Sequence, residues 1–423
     1  MTKSIYYNFF WRWHFYAGLI VMPVVLVLAI TGAIYLFESQ IENLIYKDLL
    51  YLKKNIQINP DHDAIIESAK KHFDAKRINS YQPSASLNQS ARVTLTSQDA
   101  TKITAFIHPQ TLVPLGSINE SWRLMNIARN LHKNLMLGDV GRIITELTAC
   151  WLIVMILTGI YLWWPRGNKD HGVIIPNIKN NGKKISDRKI WREFHAVFGA
   201  WASVWLLLIL LSGLPWTFIW GGLLSDFSTR SNEGFPKAIF KERPISKSSI
   251  DLPEVSMNKI FQIISKQNIN HAFKIDYPWW ERGSYALMPL RDGGDTKNVA
   301  YIFFDRKSGE ILDQYRFNDL GKVGRLTSLG VAFHEGRLFG KTNQFLNLMA
   351  VFLLLTLMIT GFTMWWKRKP YKSLGAPSLP HNVKLPKQII ALIIFVGLLL
   401  PLFGISVFLI WMGEKILNKK LSK

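Results

Sequence analysis

Residues 10–32 read FWRWHFYAGLIVMPVVLVLAITG, and residues 191–213 read WREFHAVFGAWASVWLLLILLSG. Each places a histidine (His14, His195) fifth and a glycine (Gly18, Gly199) four residues later. Seventeen residues after each histidine comes a small hydroxyl residue followed by glycine: Thr31-Gly32 and Ser212-Gly213. A second pair of segments keeps its own spacing. His132 precedes Thr158-Gly159 by 26 residues, and His334 precedes Thr360-Gly361 by 26. Gly138 and Gly340 each follow their histidine by six, and Trp163-Trp164 and Trp365-Trp366 close the two segments. Agreement at so many spacings defines a tandem repeat.

The repeat is built on membrane spans. The chain has 423 residues, 49% of them hydrophobic. Five apolar stretches carry the excess: about Phe15–Phe37, Ile144–Trp164, Ala196–Phe218, Phe345–Trp366 and Ile389–Met412. A hydrocarbon core of ~30 Å takes ~20 helical residues, which each stretch supplies. The first is too long for a signal-peptide core and has no convincing cleavage site, so it reads as a retained span. The spans read as free of buried acids and poor in helix breakers.

A net charge of +22 invites a nucleic-acid reading, but its distribution speaks for a membrane protein. Residues 165–194 carry eight Lys/Arg against three acids, and 367–388 carry six against none. The longer segment 38–140 carries twelve against ten. Short basic loops mark the cytoplasmic side. The N-terminus is then cytoplasmic, and 38–140 and about 219–343 lie outside. Lys415, Lys419, Lys420 and Lys423 disagree, because a fifth crossing puts them outside.

Both outer segments show a helix followed by alternating strands and polar turns, the pattern of a small α+β domain. The first has a helix near Asp63–Phe73 and strands near Arg92–Thr96, Ile103–His108 and Leu112–Leu115. The second has a helix near Met257–Lys266 and strands near Ala272–Asp276, Ser284–Pro289, Val299–Phe304 and Glu310–Tyr315. The expected fold is a membrane α-helical bundle of about five transmembrane helices. It is formed by a tandem parallel repeat (helix, outer α+β domain, helix) plus one extra C-terminal helix. In residue numbers, 1–37 is the N-terminal segment and first span, 38–131 the first outer domain and 132–166 the second span with its histidine segment. A basic loop over 167–190 leads to the third span at 191–218 and the second outer domain at 219–333. The fourth span with its histidine segment covers 334–366, a second basic loop 367–388, and the fifth span and tail 389–423.

Two spans per repeat make the repeats parallel, related by an axis along the membrane normal. Equivalent residues then share a depth. His14 pairs with His195 near the cytoplasmic surface, and His132 with His334 near the outer surface. A pair of axial histidines saturates a haem iron, so four such residues predict two b-type haems and an electron wire through the bilayer. Arg12, Arg192, Arg129 and Arg337 stand within three residues of these histidines, where guanidinium groups match haem propionates. Trp11, Trp13, Trp191 and Trp201 offer surfaces for a porphyrin. Gly18 and Gly199 offer it close approach to a helix, and the hydroxyl–glycine pairs read as small residues for close helix packing. His62, His72, His108, His171, His271 and His381 have no repeat partner and read as surface residues.

Absences narrow the chemistry. Cys150 is the single cysteine, which rules out an intrachain disulfide, covalent c-type haem and a cysteine-ligated cluster. Zinc prefers tighter ligand clusters. No dinucleotide fingerprint or P-loop occurs, and the basic loops are too short for a flavin or nicotinamide domain. Electrons must then come from a separate donor, a cytoplasmic reductase or a membrane quinol.

The combination Trp-Arg-Trp-His14, Leu-His132 with Trp-Trp-Pro-Arg166, Trp-Arg-Glu-Phe-His195 and Phe-His334-Glu-Gly with Trp-Trp-Lys-Arg368 resembles the PepSY-associated transmembrane family of iron-regulated membrane proteins. The outer domains look like PepSY modules, with Asp305-Arg-Lys-Ser-Gly309 as the typical strand turn. The resemblance implies a bacterial inner-membrane protein with periplasmic outer domains and the four histidines as ligands of two haems. It implies one-electron reduction of an Fe(III)-siderophore, or another periplasmic acceptor, to the weakly held Fe(II) state. Trp279 and Trp280 read as interface aromatics rather than substrate contacts. Two other functions fit less well: a non-catalytic PepSY regulator of a periplasmic peptidase leaves the histidines unexplained, and an iron-chelate transporter lacks a midplane site.

Overall fold

The computed structural model describes residues 2–53, 59–165, 172–180, 183–184, 186–291, 295–370, 374–376 and 385–421. Arg166, His171, His381 and Lys423 lie outside the described residues. The chain divides into two compact units. Residues 1–36, 129–224 and 333–423 form one, and 37–128 with 225–332 form the other.

The first unit is helical. Among the described residues, four helices are long and apolar enough to cross a membrane. The first span is Thr2–Leu36, the second Gly138–Trp163, the third Asp187–Gly213 and the fourth Gly340–Arg368. A helix satisfies its backbone N–H and C=O groups internally, which lipid demands. The first span packs on the second, the second on the third, the third on the fourth and the fourth on the first. The first and third are thus diagonal across the bundle. Small residues (Ala17, Ala29, Ala202 and Ala350) are buried, while Ile20, Val204, Phe352 and Ile359 keep the outer surface apolar.

The expected fifth span is two helices, Lys387–Leu399 and Pro401–Leu421. Residues seven apart in a continuous helix are ~10.5 Å apart. Here Gly397 and Gly404 meet backbone to backbone, and a Cβ on Gly404 would stand 2.8 Å from the Gly397 carbonyl oxygen. The chain therefore reverses at Leu400-Pro401. Proline cannot continue the ladder of the preceding helix, and paired glycines let two backbones touch. The hairpin tip is held by the Trp220 indole N–H, which donates to the Leu399 carbonyl at 3.1 Å. Further along, Trp151 donates to Ser406 Oγ at 3.1 Å, and Phe403 packs on Trp151. Trp220 is level with Glu146 and Ser406 with Trp151, so the returning helix runs toward the end where the second span finishes. Lys415 thus comes back to the side of the two basic loops. The conflict in the charge distribution disappears, because the segment enters and returns instead of crossing.

Glu146, inside the second span, corrects the reading of acid-free spans. It is fully buried, and its two oxygens accept the backbone N–H groups of Ile219 (2.7 Å) and Trp220 (2.9 Å). These are the first residues of helix Ile219–Arg230, whose open N–H groups and positive dipole end hold the carboxylate.

The second unit is one antiparallel sheet of eight strands. Its strands are β1 (Ala75–Gln82), β2 (Ala91–Ser97), β3 (Lys102–Ile107), β4 (Pro114–Asn119), β5 (Phe273–Asp276), β6 (Tyr285–Pro289), β7 (Ala300–Phe304) and β8 (Ile311–Arg316). The order is β8-β7-β6-β5-β1-β2-β3-β4. Each outer segment thus supplies four strands and a helix that covers them, and the halves join edge to edge through Ser80–Asp276 and Tyr81–Ile275. β1, polar along much of its length, had no apolar alternation to announce it. Helices His62–His72 and Met257–Ile264 cover one face with Ile65, Ala69, Ile260 and Ile264. Their N-termini interlock across the junction. Asp63 accepts from the N–H groups of Met257 (2.7 Å) and Asn258 (3.1 Å), while Asn258 Oδ1 accepts from His62 N–H (2.8 Å).

Two histidines expected at the surface are structural. His271 is buried, and its Nε2 accepts the Ala300 N–H at 3.0 Å. His62 stacks on Phe261 with ring centroids 3.6 Å apart and shares a 2.8 Å hydrogen bond with the Tyr81 hydroxyl. Burial pushes the His62 pKa down to about 4, because an apolar surround disfavours the charged ring.

Candidate functional site

The four repeat-matched histidines come together in two places, both within the helical unit. His14 on the first span faces His195 on the diagonal third span, with ring centroids 6.2 Å apart and planes at 89°. His132 lies in the last turn of the short helix Leu124–Asn134, and His334 ends the short helix Lys322–His334. Their centroids are 6.1 Å apart, with planes at 64°. Each pair takes one histidine from each repeat.

The other ring nitrogen of every histidine is engaged. His132 Nδ1 donates to the Leu28 carbonyl at 2.9 Å, with Thr31 Oγ1 at 3.4 Å. His334 Nδ1 donates to the Ile209 carbonyl at 2.8 Å, with Ser212 Oγ at 3.4 Å. His195 Nδ1 meets the Leu357 carbonyl at 3.1 Å and Thr360 Oγ1 at 3.0 Å. His14 Nδ1 meets Thr158 Oγ1 at 3.2 Å, and that hydroxyl donates its own proton to the Val154 carbonyl at 2.9 Å. A carbonyl oxygen only accepts, so Nδ1 carries the proton and Nε2 keeps its lone pair.

The hydroxyl–glycine pairs are therefore more than packing residues; each cradles an imidazole. The glycine gives the ring room. A Cβ would stand 2.9 Å from the His132 ring at Gly32, 3.0 Å from His334 at Gly213, 3.2 Å from His14 at Gly159 and 3.4 Å from His195 at Gly361. The hydroxyl accepts from Nδ1 and donates to its own helix, as Thr31 does to Val27 and Thr360 to Thr356. The cradles are reciprocal within a repeat: the first span cradles His132 and the second cradles His14, as the third cradles His334 and the fourth His195. The equal spacings of 17 and 26 residues were the sequence signal for this, hidden because a Thr-Gly pair in a span also suits helix contact. Along both the first and third spans, eighteen residues separate the histidine from the cradle glycine. The two pairs are thus about 27 Å apart along the bundle.

Repeat two braces its outer histidine further. Asn347 Nδ2 donates to the carbonyls of Phe333 (2.8 Å) and His334 (3.1 Å), and its Oδ1 accepts the Trp205 indole N–H at 2.9 Å. Sequence reading missed Asn347; a buried amide inside an apolar span was the available sign. The remaining candidates lie as follows. The Arg12 guanidinium sits over the Tyr16 ring at 5.2 Å. Arg192 pairs with Glu193 at 3.0 Å and Arg337 with Glu335 at 2.7 Å, while Arg129 is exposed three residues before His132. Gly18 faces Met155 and Gly199 faces Leu357, side chains of the neighbouring spans. Trp13 packs on Trp151 and Phe9, and Trp201 and Trp279 are exposed.

The donor set fits an iron porphyrin. With a metal–imidazole nitrogen distance of ~2.0–2.1 Å and a ring centroid ~1.1 Å behind that nitrogen, two imidazoles on opposite sides of one metal put their centroids ~6.2–6.4 Å apart. The inner pair, at 6.2 Å, stands at that separation, and the outer pair, at 6.1 Å, falls just short of it. Among the described residues no group of three or more His, Cys, Asp or Glu forms a metal cluster. Each pair presents two nitrogens, the number a haem iron takes from a protein with bis-histidine ligation.

A ring of four membrane helices enclosing two half-buried histidine pairs, with a separate antiparallel sheet unit, defines a multi-pass membrane protein. Residues 11–368 match the family model described as the PepSY-associated TM region, and the chain belongs to that family. A comparison with curated proteins returned no match.

Proposed function

We propose that this protein holds two b-type haems, one between His14 and His195 and one between His132 and His334, and carries electrons across a bacterial inner membrane. Bound there, a haem supplies a one-electron ferrous–ferric couple. The chain supplies the rest. Its four Nε2 atoms hold the metal, and the carbonyl and hydroxyl partners of Nδ1 fix ring orientation and raise ligand basicity. The apolar spans between the pairs keep water out. The observation that carries this reading is the pair of cross-repeat imidazole separations together with the Nδ1 hydrogen bonds.

The donor is a cytoplasmic reductase or a membrane quinol. The acceptor is periplasmic, and an Fe(III)-siderophore reduced to the Fe(II) form is the substrate the family resemblance favours. The chain is then a haem-dependent ferric-siderophore reductase with its N-terminus and basic loops cytoplasmic. The positive-inside rule supports this orientation, all the more with Lys415 on the same side. The regulator and transporter readings find less support. The former gives no role to four cradled imidazoles, and the buried span acids Glu146 and Glu193 have their oxygens committed to backbone N–H groups and, for Glu193, to Arg192 as well.

The test is direct. Protein purified in detergent from haem-replete cells should give a low-spin b-type reduced-minus-oxidised spectrum at two haems per chain. Absence of haem refutes the proposal. If haem is present, the dithionite-reduced protein, freed of excess reductant, is mixed anaerobically with a ferric hydroxamate and an Fe(II) chelator. Reoxidation of the haems with a matching amount of trapped Fe(II) supports the siderophore assignment; no reoxidation overturns it and leaves the electron-carrier reading intact.

A further inference from the structure

The second span ends in a buried hydrogen-bond donor with nothing to bind among the described residues. The indole Nε1 of Trp163 is shielded from solvent and has no hydrogen-bond acceptor among the described residues. Buried indole N–H groups nearly always find a partner, because leaving one unmade forfeits its hydration. Trp163 follows Gly159 by four residues. It therefore lies on the same stripe of the helix as the His14 cradle, about 6 Å further along the span. On that stripe Gly159 faces the His14 ring.

The repeat provides a comparison. Trp365 follows Gly361 by the same four residues, and its Nε1 donates to the Leu374 carbonyl at 3.1 Å. Among the described residues, one of two equivalent indoles thus has an acceptor and the other, one turn beyond the His14 cradle, has none. Position and asymmetry together leave this indole free to meet an acceptor that enters near the end of the span.

Resting on the proposed haem ligation, we infer that Trp163 is a haem-binding residue, donating its indole N–H to a carboxylate on the rim of the inner haem. A porphyrin inserted between His14 and His195 carries two propionates that must leave the apolar core, and the span end beyond Gly159 is a short way out. An uncharged donor suits that place, since it binds the carboxylate without burying a second ion.

The experiment uses the full-length chain carrying His132→Ala, which retains only the inner haem. Trp163→Phe and Trp365→Phe are compared within it for haem transfer to excess apomyoglobin and for the propionate bending mode in resonance Raman spectra. The expected result is release about tenfold faster for Trp163→Phe, with a shifted propionate mode and an unchanged bis-imidazole absorption spectrum. Trp365→Phe should release haem like its parent. Equal release from both variants, or an unmoved propionate mode in Trp163→Phe, overturns the inference. A parent protein without haem refutes the haem reading itself. The two-haem chain with Trp163→Phe alone checks folding, because its outer haem should be retained at the parental rate.

Discussion

The inner and outer histidine pairs look alike in ring separation and differ in how they are built. The inner imidazoles project from the long spans, so their depth follows from helix register. The outer imidazoles stand at the ends of short helices, just before a turn. Left-handed backbone follows each: Leu135, Met136 and Gly138 have positive φ in repeat one, Gly336 and Gly340 in repeat two. For leucine and methionine that conformation is costly. The outer cradles are also the tighter ones, at 2.9 and 3.0 Å against 3.2 and 3.4 Å. A ligand on a long helix needs little else to hold it. A ligand at a helix end depends on the packing behind it.

This contrast can be broken most sharply by removing ligands. Alanine at His14 or at His195 should each remove the same haem, and alanine at His132 or at His334 the other, halving the pyridine-haemochrome content every time. Loss grouped as His14 with His132 would show that pairing runs within repeats.

Cradle substitutions come next. Gly32→Ala and Gly213→Ala force a Cβ into the outer imidazoles, an overpacking cost of about 1–3 kcal/mol. Outer-haem occupancy should fall about tenfold or more, while Gly361→Ala stays near wild type and Gly159→Ala falls between. Equal damage from Gly361→Ala would contradict the difference in cradle tightness. Asn347→Ala should cost about 2 kcal/mol by orphaning the carbonyls of Phe333 and His334 and the Trp205 indole. On heating, the outer haem should then be released at lower temperature and the inner one unchanged; a shift in the inner haem would deny the brace its locality.

The smallest effect tests whether pH sensitivity belongs to the sheet unit. His62 is held neutral, its pKa lowered from 6.5 to about 4. Its contribution is full above pH 6.5 and is lost as pH falls through about 4, because the unfolded chain takes up the proton first. Between pH 7 and pH 5 the sheet unit should lose about 1–2 kcal/mol, discounted for the ring's remaining exposure. His62→Gln should flatten that loss in thermal melts monitored by circular dichroism. An unchanged acid sensitivity in the variant would assign it to another group.

Much of this was legible because it rests on periodicity. Apolar runs of membrane length announce the four spans, since lipid leaves a helix few alternatives. Equal spacing in two repeats groups His14 with His195 and His132 with His334 by depth. Where the polymer turns or meets itself, the pattern is silent. The run 389–412 has a span's composition, yet a glycine contact and Pro401 make it a hairpin. Glu146 escapes the reading of acid-free spans until the helix it caps is seen. The edge pairing of β1 with β5 joins segments almost two hundred residues apart, and His62 and His271 become structural only inside that sheet. The amino-acid sequence by itself determined a membrane repeat with four matched histidines, because burial in lipid writes its demands along the chain. Only the tertiary structure decided that each imidazole is held by a hydroxyl and a glycine from the neighbouring span, because those contacts depend on the faces two helices turn toward each other.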